Sequence, residues 1–362
     1  MQTEHRLLVA DSRELSAIPR DSVELVVTSP PYPLIRMWDE LFARLNPEVA
    51  VALERQDGPV AFELMHAELE KVWRQLWRAL KTGGWLCLNV GDATRRIGGS
   101  FRLYTNQARI TQSLQRQGFQ AFPPILWRKQ TNAPTKFLGS GMLPAGAYVT
   151  LEHEYILIFR KGGRRRFEAG PESENRRASA LFWEERNQWF SDLWDLKGTR
   201  QALNHSGVRQ RSAAFPFELA YRLILMYSVR GDRVLDPFLG TGTTMFAAMA
   251  ACRNSVGVEI DAELSALLDQ ECGRLPRLAR ERVARRLAEH RAFIEEYQAA
   301  RGGSRHQHRR YGTAVVTAQE TELVLDAVQS IRREAEGLYR VQYEEAASGP
   351  REEGADADTR GR

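Results

Sequence analysis

Two short stretches hold residue types from which chemistry can be built. The first is Thr28-Ser29-Pro30-Pro31-Tyr32. Consecutive prolines fix the backbone and remove two N–H donors. What is left is an array of acceptors, the Ser29 hydroxyl and the carbonyls of Ser29 and Pro30, followed directly by an aromatic ring. Acceptors converging beside a stacking face suit a planar group that carries an NH2, and the amino edge of a nucleobase flipped out of a helix is such a group. Alone, Ser-Pro-Pro-Tyr is also an ordinary turn. Its place at the end of a strand, and its pairing with the second stretch, give it meaning.

The second stretch is Asp236-Pro237-Phe238-Leu239-Gly240-Thr241-Gly242-Thr243-Thr244. A glycine-spaced turn between a strand and a helix lets the backbone approach a ligand where a Cβ would clash. No lysine follows the glycines, so a phosphate-cradling loop is disfavoured. The next strand, Val256-Gly257-Val258-Glu259, ends in a carboxylate able to accept both hydroxyls of a ribose. Turn and carboxylate together fit a dinucleotide or S-adenosylmethionine, and the amine-accepting stretch favours the second.

The elements that position these residues follow from short apolar, β-branched runs bounded by turn signals. Strands are predicted at Leu7 to Ala10, Val23 to Thr28, Trp85 to Val90, Ile125 to Arg128, Tyr155 to Phe159, Val234 to Asp236 and Val256 to Glu259. A long helix over Leu64 to Leu80 is expected to end at Gly83-Gly84, and further helices at Pro216 to Val229 and from Thr243. Strands alternating with helices predict a parallel sheet covered on both faces, with ligands beyond the carboxyl ends of its strands. Asp11, Asp236, Glu259 and Ser-Pro-Pro-Tyr then share one rim.

The two motifs, in this order, resemble those of the amino-methylating DNA methyltransferases of restriction–modification systems. The likeness runs from about His5 to Asp261 and includes Leu88-Asn89-Val90-Gly91-Asp92, Leu126-Trp127-Arg128-Lys129, Glu152-His153-Glu154-Tyr155 and Phe215-Pro216. Where the family commonly has His-Pro ahead of Phe-Pro, this chain has Arg211-Ser212. The resemblance implies a circularly permuted Rossmann-like S-adenosylmethionine methyltransferase sheet of α/β class, with a small target-recognition insertion and a charged helical C-terminal extension. It implies catalytic roles for Ser29, Pro30, Pro31 and Tyr32, the last stacking on the extruded base. Cofactor contacts carry over to Asp11 near the adenine, to Phe215, Asp236, Pro237, Phe238, Gly240, Gly242 and Thr243, and to Glu259. Asp92 either faces that pocket or caps a turn. Serine at position 29 is more typical of cytosine-N4 than of adenine-N6 enzymes. Methylation at cytosine C5 needs a cysteine nucleophile, typically after a proline, and no Cys here follows Pro.

On this likeness residues 1–159 form the catalytic half, 160–204 the target-recognition segment and 205–271 the cofactor half. A helical basic extension over 272–345 and a disordered tail over 346–362 follow. Arg164, Arg165, Arg166, Arg176 and Arg177 are the expected DNA contacts, double-stranded DNA the expected partner, and an endonuclease of the same specificity a second one.

Composition reads as an ordinary soluble globular protein: 43% hydrophobic and 27% charged residues over 362 positions. The net charge of +5 permits a polyanionic partner. Eleven Arg against four Glu between Arg274 and Arg310 are read as either a DNA contact or a helix with a solvated basic face, the second favoured. Trp183, Trp189 and Trp194 are read as packing residues. Cys87, Cys252 and Cys272 are scattered without a C-x-x-C pair, which argues against disulfides and a zinc site. No eighteen-residue apolar run and no signal-peptide core occur, so no membrane span and a cytoplasmic location are expected.

Overall fold

A computed structural model describes residues 1–129, 138–198, 215–263, 268 and 271–345. The expected tail after 345 and the part of the recognition and cofactor segments between 199 and 214 lie outside the described residues.

In chain order, strands β1 (Gln2–Val9) and β2 (Val23–Thr28) precede helices α1 (Asp39–Leu45), α2 (Glu48–Glu54) and α3 (Gly58–Ala79). Next come β3 (Leu80–Val90), the hairpin β4 (Ala93–Ile97) and β5 (Ser100–Tyr104), α4 (Asn106–Arg116) and β6 (Phe119–Lys129). A small hairpin, β7 (Leu138–Gly139) with β8 (Ala147–Tyr148), leads to β9 (His153–Lys161), α5 (Pro171–Ala178), α6 (Trp183–Trp189) and β10 (Leu193–Leu196). The cofactor half supplies α7 (Phe217–Tyr227), β11 (Arg233–Asp236), α8 (Thr243–Ala250) and β12 (Asn254–Glu259). The chain then continues through α9 (Leu275–Arg301), the short strands β13 (His306–Gln307) and β14 (Ala314–Val315), and the long hairpin β15 (Asp326–Ala335) and β16 (Leu338–Glu345).

Ten strands form one sheet in the order β10-β6-β9-β3-β2-β11-β12-β1-β16-β15. Its centre, β3 to β1, is parallel. The late strand β11 sits between β2 and β12, with β1 beyond β12, which is the arrangement a permuted chain must adopt to restore the sheet. The purely parallel expectation is corrected at the flanks. Strand β9 runs antiparallel to both β3 and β6, and β16 antiparallel to β1.

Side chains alternate across the sheet as its period of two requires. Leu25, Val27 and Cys87 join one core with α7 and α8, while Val26, Leu86 and Leu88 join the other with α3. Helix α3 begins where Asp57 accepts a hydrogen bond from the Val60 N–H at 3.1 Å, with a proline in its first turn. It buries Met65, Leu69, Val72, Trp73 and Leu76 at spacings of three and four. It stops at Ala79 rather than at the glycines, which belong to β3. A Cβ on Gly84 would stand 3.0 Å from the Glu24 carbonyl, so glycine lets β3 lie close against β2.

The extension departs most from expectation. Helix α9 forms, but residues 326–345, read as helical, make the β15–β16 hairpin that widens the sheet at β1. Alternation along Tyr339, Val341 and Tyr343, all buried, suits a strand, and Ala327 and Val328 are buried on its partner. The Arg-rich helix is not wholly solvated either. Arg286 is buried and paired with Glu185 at 2.5 and 2.7 Å, and Arg282 reaches Glu218 at 2.9 Å. Trp189 and Trp194 are packed inside, whereas Trp183 is 38% exposed and stacks on Phe293.

The hairpin is tied down by the Tyr343 hydroxyl, which donates to the Met249 carbonyl at 2.7 Å and lies 2.7 Å from the Thr3 hydroxyl. Replacing Tyr343 by Phe leaves both groups short of a partner, so urea unfolding should read a loss of about 1–3 kcal/mol. An unchanged unfolding midpoint would mean that the hairpin is not locked to the sheet through this hydroxyl.

Candidate active site

A cavity of about 700 Å³ opens along the carboxyl ends of β1, β2, β11 and β12. Ser29, Pro30 and Pro31 line one part of it. Asp11, Phe215, Asp236, Pro237, Phe238, Gly240, Thr243 and Glu259 line the rest, so these predicted residues are brought together. Gly242 and Tyr32 are not among its walls.

The glycine turn is shaped by the Asp236 carboxylate. It accepts the Phe238 N–H at 3.0 Å and the Thr28 hydroxyl at 2.7 Å on one oxygen, and the Thr244 hydroxyl at 2.7 Å on the other. Gly240 and Gly242 both take positive φ, 56° and 88°. A Cβ on Gly240 would meet nothing closer than 4.0 Å, so this glycine faces open space where a ligand can approach. Gly242 differs: a Cβ there would strike Leu268 and Phe246, and the residue serves helix packing at the start of α8.

Glu259 folds its carboxylate across the turn, accepting from Gly240 N at 2.8 Å and from Asp261 N at 3.0 Å, one bond on each oxygen. Each oxygen keeps a further acceptor position, which suits a pair of vicinal hydroxyls. Asp11 is gripped by Arg13, a residue sequence reasoning did not single out. The guanidinium makes contacts of 2.7 to 3.1 Å to both Asp11 oxygens and extends to Glu68 at 2.7 Å. Burial works against the Asp11 charge, but the Arg13 bonds outweigh it and hold the carboxyl below its usual range. These walls fit a nucleoside with a ribose and an apolar-flanked ring.

At the other end, Tyr32 lies behind the cavity wall rather than in it. It is 7% exposed, and Gly91 lies against its ring, where a Cβ would come within 3.3 Å of Cε2. Its hydroxyl lies 2.9 Å from Ser29 Oγ, receives the Asn89 side-chain amide at 2.8 Å and donates to Glu154 Oε2 at 3.1 Å. Asn89 also donates to Glu154 at 2.7 Å, and Lys129 pairs with the other Glu154 oxygen. Burial, then the Glu154 charge, pushes the Tyr32 phenol well above its usual range and keeps it protonated. Asn89, Lys129 and Glu154 come from three segments of the family likeness to which sequence reading assigned no role. Asp92 caps α4 instead, accepting from Gln107 N at 3.0 Å. Asn106 fixes the catalytic loop by donating to the carbonyls of Pro33 and Gly91 at 3.2 and 3.0 Å.

The five arginines expected on DNA belong to a segment that starts at the edge of the sheet opposite the cavity. Because β9 is antiparallel, the chain leaves it at the amino ends of the central strands. There Arg165 pairs with Asp232 at 2.7 Å, just ahead of β11, and its backbone lies against Gly83 at the start of β3. Arg176 packs over Phe167, and Arg177 pairs with Glu322 at 3.6 Å. Arg164 and Arg166 are exposed in the same segment. A strand of six residues separates this edge from Ser29 by roughly 20 Å. The catalytic rim carries other basic side chains, among them the exposed Arg96 and Arg102 of the β4–β5 hairpin.

Comparison with known proteins agrees with this geometry. A family model described as DNA methylase matches residues 23–269. The Type II methyltransferase M.MthZI of Methanothermobacter thermautotrophicus is 48% identical over 347 residues, 95% of this chain and 96% of its own. M.MjaI of Methanocaldococcus jannaschii is 47% identical over 282 residues, 75% of this chain and 92% of its own. A Thermus thermophilus protein assigned as a DNA modification methylase, solved with S-adenosyl-L-methionine, superposes with a TM-score of 0.56 at 35% identity, over 75% of this chain and 95% of that one. The cytosine-N4-specific PvuII DNA methyltransferase shares the fold, with a TM-score of 0.50 at 19% identity over 73% and 86% of the two chains. The chain belongs to the amino-methylating DNA methyltransferases and takes its methyl group from S-adenosylmethionine. No helix among the described residues is long and apolar enough to cross a membrane.

Burial pushes the Asp236 carboxyl up to about 6 despite its hydrogen bonds. A folded value above the unfolded one means that the native state binds this proton more tightly. The associated stability is full below about pH 4 and is lost as pH rises through about 6. Asp236→Asn removes this dependence. The wild type should therefore lose on the order of 2–3 kcal/mol relative to the variant between about pH 4 and 7. Urea unfolding of both proteins across that range checks it, and parallel curves would overturn it.

Proposed function

We propose that the chain methylates the N4 amino group of cytosine in double-stranded DNA, as the modification enzyme of a restriction–modification system. The observation that carries the base assignment is Ser29 at the head of Ser-Pro-Pro-Tyr, where adenine-N6 members more often have Asp or Asn. The Type II designation of M.MthZI and M.MjaI supports pairing with an endonuclease of the same specificity.

An exocyclic amine is a poor nucleophile because its lone pair is conjugated into the ring. Ser29 Oγ and the Pro30 carbonyl accept its N–H groups, draw the nitrogen toward tetrahedral geometry and free that lone pair. Both acceptors are fixed before the base arrives, Pro30 by its ring and Ser29 by its contact with Tyr32, so little reorganisation accompanies the developing positive charge. S-adenosylmethionine, when bound, supplies the methyl group on a sulfonium centre. Glu259 would hold its ribose, Gly240 would admit its backbone-facing edge, Phe215 and Phe238 would flank its adenine, and Asp11 would stand at the adenine end. Alignment of two bound reactants then provides most of the rate.

Incubation with labelled S-adenosylmethionine and mixed-sequence duplex DNA, followed by nucleoside mass spectrometry, should yield N4-methylcytosine. N6-methyladenine would overturn the base assignment. Ser29→Ala should lower turnover about 100-fold or more while cofactor binding by calorimetry stays intact. Glu259→Ala should do the reverse, weakening cofactor binding first.

The DNA-contacting face is a separate expectation. Arg96→Ala with Arg102→Ala should weaken duplex binding and reduce its salt dependence by about one to two phosphate contacts. Arg164→Ala with Arg166→Ala should leave both unchanged. Fluorescence anisotropy at several salt concentrations reads the difference, and the opposite pattern would return the DNA face to the 160–204 segment.

A further inference from the structure

The methylated nitrogen must shed a proton, and a chain of hydrogen bonds leads away from Ser29. Tyr32 Oη has three polar neighbours, and their chemistry fixes the direction of every bond. The Asn89 amide nitrogen at 2.8 Å can only donate, and the Glu154 carboxylate at 3.1 Å can only accept. The phenol has one proton, which therefore points to Glu154. Were it turned toward Ser29 instead, two oxygen acceptors would face each other across 3.1 Å. The remaining contact, 2.9 Å to Ser29 Oγ, is then donated by the serine hydroxyl. Ser29 Oγ is left with its lone pairs free, aimed at no protein donor among the described residues.

We infer that Ser29, Tyr32 and Glu154 form a one-way proton relay that carries the surplus proton from the target amine to Glu154. The inference rests on the reading that Ser29 receives the amine, and holds whether the base is cytosine or adenine. The amine lone pair forms the new nitrogen–carbon bond as the methyl carbon–sulfur bond breaks, its electron pair staying on sulfur. The nitrogen then carries one proton too many. That proton passes to Ser29 Oγ as the serine proton moves to Tyr32 Oη and the tyrosine proton moves to Glu154 Oε2. The base ends neutral, Ser29 and Tyr32 end as they began, and Glu154 ends as a carboxylic acid that later releases its proton to solvent.

The surroundings hold the accepting carboxylate in place. Lys129 pairs with the second Glu154 oxygen, which leaves Oε2 to face the phenol. Asn89, only 2% exposed, holds both Tyr32 and Glu154 in line. Ser29 alone could not keep the proton, because an alcohol is a far weaker base than a carboxylate. Charged or titratable groups on the neighbouring positions are His153 and Tyr155 of the same strand, Glu152 just ahead of it with its partner Arg128 from β6, and Asp92 from the turn after β3.

The test is single-turnover transfer of labelled methyl to unmethylated mixed-sequence plasmid DNA, from about pH 5.5 to 9. Wild type, Glu154→Gln, Tyr32→Phe and the double variant are compared, with cofactor affinity measured by calorimetry. Each single variant should be slowed about 100- to 10,000-fold, and the double variant no further than the slower single one. Cofactor affinity should stay within about twofold, since neither residue lines the cofactor end. The variants' rates should climb with pH as hydroxide replaces the relay, while the wild-type rate levels off. Rates near wild type, or losses that multiply with an unchanged pH profile, would overturn the relay and leave Glu154 a structural residue. If Glu154→Gln fails to fold, Tyr32→Phe, which keeps the ring, decides by the same pH profile. A wild type that methylates no amino group would overturn the Ser29 reading itself, a failure that product analysis distinguishes from loss of the relay alone.

Discussion

The Asp236 carboxylate is where the two halves of the site become one. It closes the glycine turn through Phe238 N, holds the end of the catalytic strand through Thr28, 208 positions away in sequence, and holds the helix behind the turn through Thr244. A buried carboxylate is costly unless its oxygens are satisfied, and here three donors meet it. With β2 and β11 paired side by side, this contact sets the distance between Ser-Pro-Pro-Tyr, the proposed amine acceptor, and the glycine turn, the proposed cofactor site. A displacement of an ångström between two aligned reactants costs a large factor in rate, so rigidity here is a functional requirement.

Around that anchor the rim divides into two chemically distinct ends. The cofactor end is built of backbone and carboxylates: Gly240 with open space before it, Glu259 braced across the turn, and Asp11 braced by Arg13. The base end is built of hydroxyls and an amide backed by one ion pair, Lys129 with Glu154. Each end is held by residues set behind those proposed to meet the ligands. Asn106 pins the loop after the prolines, Glu68 backs Arg13, and Asn89 backs Tyr32.

The outer parts of the chain consolidate this core. The β15–β16 hairpin covers the β1 edge of the sheet, an exposed edge that would otherwise offer unpaired backbone groups. Helix α9 grips the segment after β9 through the buried Arg286–Glu185 pair and the stacking of His290 on Phe182. Basic residues in the 160–204 segment and in α9 are thus partly spent on internal pairing, which composition and charge could not distinguish from a nucleic-acid footprint.

Much of this was legible in the sequence. Strand cores, the helix before β3, the glycine turn and Glu259 follow from local periodicity and turn chemistry, which the backbone obeys wherever the segment ends up, and the permuted order of the sheet was implied by the family resemblance of the two motifs. The boundaries were less clear at Gly83-Gly84, because a glycine serves a close strand pair as readily as a helix end. What the sequence could not decide was direction and register. A strand has the same alternation whichever way it runs, and only tertiary pairing made β9 antiparallel. That one choice brings Glu154 to the rim beside Tyr32 and sends Arg164 to Arg177 to the opposite edge. The meeting of Asn89, Lys129 and Glu154 around a single hydroxyl likewise depends on three strands lying in register, a long-range fact that no local pattern records.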